Sequence, residues 1–230
     1  MITFDPRGYA SADTVSLDQL TIDGIASSLV DFFDALGLER PDLFGWSWGG
    51  FITLWLGAFY GDSVGNLIVF STTSGGEQLV PGPQYESIIA GSSQGQGTPP
   101  GDIFPDSKEG NAALCRFIAF ARIMPGPIFS PDQIRNQTNL LNSVFAQNTL
   151  TDALSNITNP LLVGHGSLDI VLSAANAELI YSNVSDVRLQ IGSGSGHAYL
   201  FQELDAVLAG VQEFLVDYDN SDSSTGPASN

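Results

Sequence analysis

Cysteine and positive charge are the scarcest features of this 230-residue chain. Its single cysteine, Cys115, cannot form an internal disulfide and excludes a metal site built from several thiolates. Only 7 lysines and arginines stand against 25 aspartates and glutamates, which gives a formal net charge of -18. Such a charge repels phosphate backbones and anionic lipid surfaces, so we expect neither a nucleic-acid partner nor a membrane partner.

Long apolar runs are also missing. None approaches the roughly 18 residues that a transmembrane helix needs. Asp5 and Arg7 follow a short apolar start, so no signal peptide is visible, and the protein is expected to be soluble, either cytoplasmic or secreted. The chain contains Asn-x-Ser/Thr sequons at Asn136, Asn156 and Asn183. In a chain rich in asparagine and serine, we interpret these as chance matches.

Strands and helices alternate along a chain whose 43% hydrophobic content can fill one domain, assigned to residues 1–217. Short apolar runs predict strands at residues 1–4, 43–44, 67–70, 161–163 and 187–191. A capping-box spacing at Ser16 to Gln19 and apolar steps of three and four predict a helix that ends at Gly37. Further helices are predicted at residues 51–59, 112–123, 131–147, 173–181 and 206–216. The alternation indicates an α/β fold with a mostly parallel sheet flanked by helices.

The middle of the chain differs from this pattern. Residues 75–110 are rich in glycine, proline, glutamine and serine and are predicted to form a loop. Together with the two helices after it, this segment forms an insertion over residues 75–150, expected to lie over the sheet as a small helical lid. Ordinary packing without a gating role is the alternative, and the sequence leaves both open. The polar, acidic segment 218–230 is predicted to be disordered.

A Gly-x-Ser-x-Gly pattern, Gly45 to Gly49, lies between an apolar run and a helical pattern. A serine on a sharp strand-to-helix turn exposes its hydroxyl to a substrate, and the two glycines are expected to avoid collisions there. The pattern alone is weak evidence, because Gly91 to Gly95 also matches it. No apolar run precedes that second match, and we predict that it lies in a loop. Ser47 is therefore the candidate nucleophile.

A serine nucleophile needs a base, and the base needs an acid to orient it. The chain has only two histidines, His165 and His197. His197 follows the last predicted strand, and the chain order Ser47, Asp169, His197 is the one expected for a hydrolase with a strand-to-helix elbow. Glu77 is a second, lower-ranked candidate for the acid. His165 is interpreted as structural.

A cofactor is not predicted. The run from Gly192 to Gly196 would need glycine at position 197 to match a dinucleotide-binding pattern, and His197 stands there instead. No cluster of histidine and carboxylate residues has the spacing of a metal site, so no metal is predicted either.

Four ordered segments resemble the α/β-hydrolase superfamily, over nearly all of the chain up to about Phe214. The family's D-x-R-G-x-G turn is similar to Asp5-Pro-Arg-Gly-Tyr-Ala10. The segment around Ser47 is similar to the strand-to-helix elbow that carries the family's nucleophile. The segments from Pro160 to Asp169 and from Gly196 to Ala198 resemble those that carry the triad acid and histidine. The resemblance implies an α/β-hydrolase fold and a Ser47–His197–Asp169 triad. Serine at position 47 argues against a dehalogenase or an epoxide hydrolase.

One part of the family pattern is missing. In the family, a strand ending in His-Gly precedes the D-x-R-G turn and supplies one N–H of the oxyanion hole, while the residue after the nucleophile, here Trp48, supplies the other. Since no such strand precedes Asp5, we expect that Met1 is an internal methionine and that the chain is an N-terminally truncated fragment.

Two hypotheses on function follow. The first is a serine hydrolase that acts on a small-molecule carboxylic ester or related acyl bond, with Trp46, Trp48, Phe117 and Phe145 as candidates for an apolar substrate pocket. The second is a non-catalytic or truncated α/β-hydrolase-like protein whose oxyanion hole is incomplete.

Overall fold

A parallel four-stranded sheet is the centre of the fold, with its strands hydrogen-bonded in the order β1-β2-β3-β4. The computed structural model describes residues 1–9, 12, 16, 19–123 and 129–223. The strands are β1 (Leu43–Trp46), β2 (Leu67–Phe70), β3 (Leu161–Gly166) and β4 (Val187–Gly192). Each begins at the first residue predicted for it, and an α/β architecture with a parallel sheet is confirmed.

Helices flank this sheet on both faces. They are α1 (Ile22–Ala35), α2 (Trp48–Phe59), α3 (Tyr85–Ser93), α4 (Lys108–Ile123), α5 (Pro131–Phe145), α6 (Thr149–Ala153), α7 (Ala175–Asn183), α8 (Tyr199–Gln202) and α9 (Leu204–Ser223). Within the described ranges, no helix combines the length and the apolar character that crossing a membrane requires.

Side-chain alternation along the strands builds a three-layer core. Val69 and Val163 face the layer that contains α1, α2, α5 and α7. Their neighbours in sequence, Phe70 and Leu162, face the opposite layer, where Phe214 of α9 is fully buried. Successive strand residues point to opposite faces, so a strand covered on both sides must be apolar throughout. This is why β2 reads as an uninterrupted apolar run.

The first helix begins later than its predicted capping box. The side chain of Thr21, not that of Ser16, caps α1 by accepting a hydrogen bond from the Gly24 N–H at 2.9 Å. The C-cap of α1 is Leu36, and Gly37, the predicted C-cap, is the next residue. Its φ of +65° and the bond from Leu38 N to Phe33 O, 2.9 Å, form the glycine-ended cap that satisfies the last carbonyls of a helix.

The predicted strand at residues 1–4 is wrong. The segment carries no ladder hydrogen bonds, because none of the described strands lies beside it, and Phe4 instead packs its ring 5.1 Å from that of Phe32. The outer edge of β1 is likewise unpaired within the described residues.

The loop prediction for residues 75–110 is wrong in part. Helix α3 forms there, so the second Gly-x-Ser-x-Gly match lies largely at the end of a helix instead of in a loop. Backbone hydrogen bonds from Gly82 N to Val171 O (2.9 Å) and from Gln84 N to Ile170 O (2.8 Å) fix this helix above the end of β3. Tertiary contacts of this kind are not visible in local sequence.

Both helices predicted for the rest of the insertion are confirmed as α4 and α5. Helix α5 packs against α3, whereas α4 packs against α8. The lid role of the insertion over residues 75–150 remains a prediction. At the other end of the chain, α9 continues to Ser223, so residues 218–223 are helical where disorder was predicted. Residues 224–230 lie outside the described residues.

Candidate functional site

Ser47 lies on the sharp turn between β1 and α2, with φ 54° and ψ -119°. A non-glycine residue in this region is strained and must be held by its neighbours. The Ser47 N–H donates to Phe70 O at 2.9 Å, and its carbonyl accepts from the hydroxyl of Thr72 at 2.8 Å. The end of β2 and the loop after it thus hold the backbone N–H and the carbonyl of Ser47.

The glycines of the turn are not equivalent, which corrects the sequence interpretation. A Cβ on Gly45 would overlap the Gly49 carbonyl and lie 2.5 Å from Thr53 Oγ1, so glycine is required there. A Cβ on Gly49 would meet nothing within 4 Å. The second crowded position is Gly50, where a Cβ would lie 2.7 Å from that of Thr72. The close packing of α2 on the sheet depends on Gly45 and Gly50.

A chain of hydrogen bonds links the three residues that the sequence singles out. His197 Nε2 lies 2.9 Å from Ser47 Oγ, and His197 Nδ1 lies 2.8 Å from Asp169 Oδ2. His197 is only 4% exposed, and the Asp169 side chain is fully buried. The strands carry these residues to one edge of the sheet, because parallel strands end on the same side.

His165 makes a contact that the sequence analysis missed. Its Nε2 lies 2.9 Å from Asp169 Oδ2 and 2.9 Å from Leu172 O, so it is a second imidazole on the same carboxylate. Asp169 Oδ1 accepts from the Val171 and Leu172 N–H groups at 2.8 and 2.9 Å. His165, which the sequence analysis interprets as structural, thus contacts the candidate acid itself. The chain offers one signal for this, its spacing of four residues from Asp169.

These contacts set the charge state of Asp169. Burial alone raises the pKa of a carboxylate, but here the charge and hydrogen bond of His197 and the hydrogen bond of His165 outweigh it. The pKa of Asp169 therefore lies well below its ordinary value, and the side chain is an anion at neutral pH. His165 Nδ1 is buried and has no hydrogen-bond partner among the described residues, so the contact of this ring with Asp169 runs through Nε2.

The loop that carries His197 is held on several sides. The indole of Trp46 donates to His197 O at 2.9 Å, and its ring lies 5.5 Å from the imidazole. Ile103 O accepts from the Ala198 N–H at 2.8 Å, and Gln202 Nε2 donates to Gly194 O at 3.1 Å. Trp46, predicted as a pocket residue, thus also positions the histidine.

Two other candidates lie away from this cluster. Glu77, the lower-ranked acid, is exposed, and its backbone N–H donates to Asn148. Phe117 does not line the cavity at Ser47. It packs its ring 5.1 Å from that of Phe201 and 5.7 Å from that of Phe104, as part of a separate small apolar cluster.

A cavity of about 350 Å³ opens beside Ser47 and His197. Three of the four predicted pocket aromatics line it, namely Trp46, Trp48 and Phe145. Most of its other walls come from apolar side chains of α3, α5 and the segment after Asp169, including Ile88, Leu141 and Leu172. Tyr9 supports one wall from outside, because its hydroxyl accepts from the Trp48 indole at 2.6 Å. The site thus combines a hydroxyl, an imidazole and a carboxylate with an apolar chamber.

Comparison with known proteins agrees with this architecture. A sequence model of the alpha/beta hydrolase fold matches residues 1–204. The chain belongs to the alpha/beta hydrolase fold family. This confirms the resemblance that the four ordered segments indicate.

Within this family, the chain is similar to several hydrolases. It is 32% identical to 3-oxoadipate enol-lactonase 1 of Acinetobacter baylyi over 59 residues, which cover 26% of the chain and 21% of the lactonase. The chain thus matches about a fifth of that relative's length.

Solved structures cover more of this alpha/beta hydrolase. A hydrolase from Pseudomonas aeruginosa PA01 has a TM-score of 0.70 and 23% identity over 92% of the chain and 77% of its own length. The enol-lactonase from Burkholderia xenovorans LB400 has a TM-score of 0.66 and 16% identity over 92% of the chain and 79% of its own. At such low identities, these similarities show the shared fold.

Proposed function

We propose that the protein is a serine hydrolase that cleaves a carboxylic ester, open-chain or cyclic, through Ser47, His197 and Asp169. The observation that carries the proposal is the continuous hydrogen-bond chain from Ser47 Oγ through both ring nitrogens of His197 to Asp169. Family membership and the similarity to hydrolases, two of them enol-lactonases, support a hydrolytic reaction. A lactone is a cyclic ester, so the same chemistry serves both kinds of substrate.

In the proposed reaction, Ser47 Oγ attacks the carbonyl carbon while its proton passes to His197 Nε2. The alcohol leaves with that proton as the acyl group stays on Ser47. Water then attacks the acyl carbon, gives a proton to His197 and releases the carboxylic acid, and Ser47 recovers its proton. Asp169 holds the imidazole by Nδ1 and stabilises the imidazolium in both steps.

Negative charge on the carbonyl oxygen needs donors, and Trp48 is the proposed one. Its N–H is the first of α2 and, like the other N–H groups of a helix's first turn, has no intrahelical partner. The positive end of the α2 dipole also lies at Ser47 and favours an anion there. The rate advantage of one such donor is on the order of 10² to 10³.

An active-site label tests the proposal directly. A fluorophosphonate probe should modify the wild-type protein at Ser47, and the modification should disappear in Ser47→Ala. Thr73→Ala, which changes a buried hydroxyl of the loop after β2 instead, should still be labelled at Ser47. Labelling that persists in Ser47→Ala would show that the nucleophile is a different residue.

The second candidate function is a non-catalytic member of the same family. The favouring observation is that Trp48 is the one oxyanion donor identified among the described residues, while β1, which leads into Ser47, is paired along one edge only. This alternative predicts negligible turnover of p-nitrophenyl acetate by the folded protein. Turnover at rates usual for esterases would dismiss it.

A further inference from the structure

The cavity beside Ser47 is lined by no positively charged side chain among the described residues. Besides Ser47 and His197, its polar side chains are hydroxyls and an amide, and they include Ser92, Thr98, Gln137 and Thr138. We propose that the substrate is an uncharged, apolar ester or lactone, and that esters carrying a carboxylate in the acyl part are selected against. This inference rests on the proposed function and adds a substrate class to it.

All seven lysines and arginines lie within the described residues, and each is located elsewhere. Arg135 is nearest in sequence to the cavity wall. It is half-buried beside Gly95, forms an ion pair with Asp132 and does not line the cavity. Arg188 pairs with Asp217 at 2.8 Å, and Arg40 donates to Val64 O at 3.3 Å. The other four are exposed and outside the lining, namely Arg7, Lys108, Arg116 and Arg122. A carboxylate in the cavity would therefore find no ion-pair partner.

Burial without a partner is costly for an ion. A carboxylate moved from water into an apolar site loses hydration, and only a close cation or several hydrogen bonds repay that loss. The positive end of α2 is aimed at Ser47, where the reacting oxygen gains charge, and cannot also serve a second anion deeper in the chamber. The uncharged polar groups suit a neutral carbonyl or ether oxygen.

The charge of the whole chain acts in the same direction. With 25 acidic and 7 basic residues, the protein repels an approaching anion at low ionic strength. A cationic substrate would be attracted, yet no aspartate or glutamate lines the cavity to receive it within the part of the chain that the structure describes. The cavity thus disfavours substrates of either charge and favours a neutral ester.

Three p-nitrophenyl esters with acyl chains of equal length test the proposal. They are the neutral butanoate, the anionic hydrogen succinate and a cationic 4-(trimethylammonio)butanoate. At 150 mM NaCl we expect kcat/KM for the neutral ester to exceed that of each charged ester by at least about 100-fold, after normalisation to hydroxide-catalysed hydrolysis. Equal values for the neutral ester and either charged ester, or a preference for a charged one, would overturn the proposal.

A charge placed in the cavity should change this ranking. Ile88 lies on the cavity-facing side of α3, and Ile88→Lys should raise the succinate-to-butanoate ratio of kcat/KM at least about tenfold. Ser87→Lys is the matched control, because it adds the same charge on the exposed side of the same helix. It should leave the ratio unchanged. If both variants raise the ratio equally, the selection comes from the net charge and not from the cavity.

Binding to Ser47→Ala separates this inference from the proposed function. Calorimetry with methyl pentanoate and with monomethyl glutarate compares a neutral and an anionic ester without turnover. Tighter binding of the neutral ester supports the substrate class even if the wild-type protein proves inactive, in which case only the proposed function fails. Equal binding of the two esters overturns the substrate class whatever the activity.

Discussion

Ser47 occupies a backbone conformation that a side chain disfavours, and hydrogen bonds to Phe70 and Thr72 hold it there. Strain of this kind has a free energy on the order of 1–3 kcal/mol. It accompanies the position of the proposed nucleophile at the tip of a turn, where its hydroxyl would be open to a substrate. At this residue, the stability of the folded protein is therefore opposed to the exposure of the hydroxyl.

The opposition can be measured with two variants that lack the hydroxyl. Ser47→Gly should raise the free energy of unfolding by about 1 kcal/mol, because glycine adopts the turn conformation without strain. Ser47→Ala keeps the Cβ and the strain, so it serves as the control for loss of the hydroxyl alone. Urea unfolding monitored by tryptophan fluorescence compares the two. Equal stability of the glycine and alanine variants would mean that the turn is not strained.

His165 allows a second test at the scale of one residue. His165→Phe keeps the ring volume but removes the donor to Asp169 Oδ2, leaving His197 as the sole imidazole on that oxygen. We expect kcat/KM to fall about tenfold, since a hydrogen bond to a charged group contributes roughly 1.5–3 kcal/mol. The hydrogen bond of His165 also helps to lower the pKa of Asp169, so its loss should raise that pKa and move the acid limb of the pH–rate profile to higher pH.

The pH profile distinguishes positioning from simple support of the fold. His165→Gln, whose amide can donate in place of Nε2–H, should recover most of the activity and the original limb. A His165→Phe protein with lower activity but an unmoved acid limb would contradict the proposed influence on Asp169.

At the scale of elements, the junction of β1 and α2 depends on two of its three glycines. Gly45→Ala should destabilise the protein by at least about 2 kcal/mol, because its Cβ would collide with backbone that cannot move without shifting α2. Gly50→Ala should also destabilise, through the contact with Thr72. Gly49→Ala is the matched control with open space, and helix propensity predicts no loss, or a gain of up to about 1 kcal/mol.

Thermal unfolding of the three variants decides the point. Comparable destabilisation by Gly49→Ala and Gly45→Ala would mean that helix packing is not what requires glycine at the turn.

How far the sequence predicts these elements depends on where their information lies. The strand β2 and the helix α1 were predictable from local apolar patterns. The strand is buried on both faces and is apolar throughout, whereas the helix is buried on one face and has apolar residues at steps of three and four. The proximity of Ser47, Asp169 and His197 was predictable, because each follows a predicted strand and parallel strands end on the same side of the sheet. Helix α3 was not, since contacts of Gly82 and Gln84 with the segment after Asp169 determine its place. Likewise, apolar character alone could not separate Phe117, in a satellite cluster, from Phe145, in the cavity wall.

At the scale of the molecule, the proposed selection against an anionic substrate has two causes, which act over different distances. The repulsion caused by the net charge of -18 acts through solvent and is screened by salt. The second effect acts at contact distance, because an anion in the cavity finds no cation among the described lining residues. The charges that produce the long-range part are distributed over the surface. The cavity lining that produces the short-range part comes from α3, α5 and the segments that carry the candidate catalytic residues.

Salt separates the two influences, because the screening length falls from about 30 Å at 0.01 M to about 8 Å at 0.15 M ionic strength. We expect kcat/KM for p-nitrophenyl hydrogen succinate to rise several-fold over this range as repulsion is screened. The value for the neutral butanoate should change less than about twofold and serves as the control for salt effects on the enzyme itself. The preference for the neutral ester over the anionic one that persists at high salt measures the contribution of the cavity alone. If added salt abolishes the preference entirely, surface charge and not the lining beside Ser47 selects the substrate.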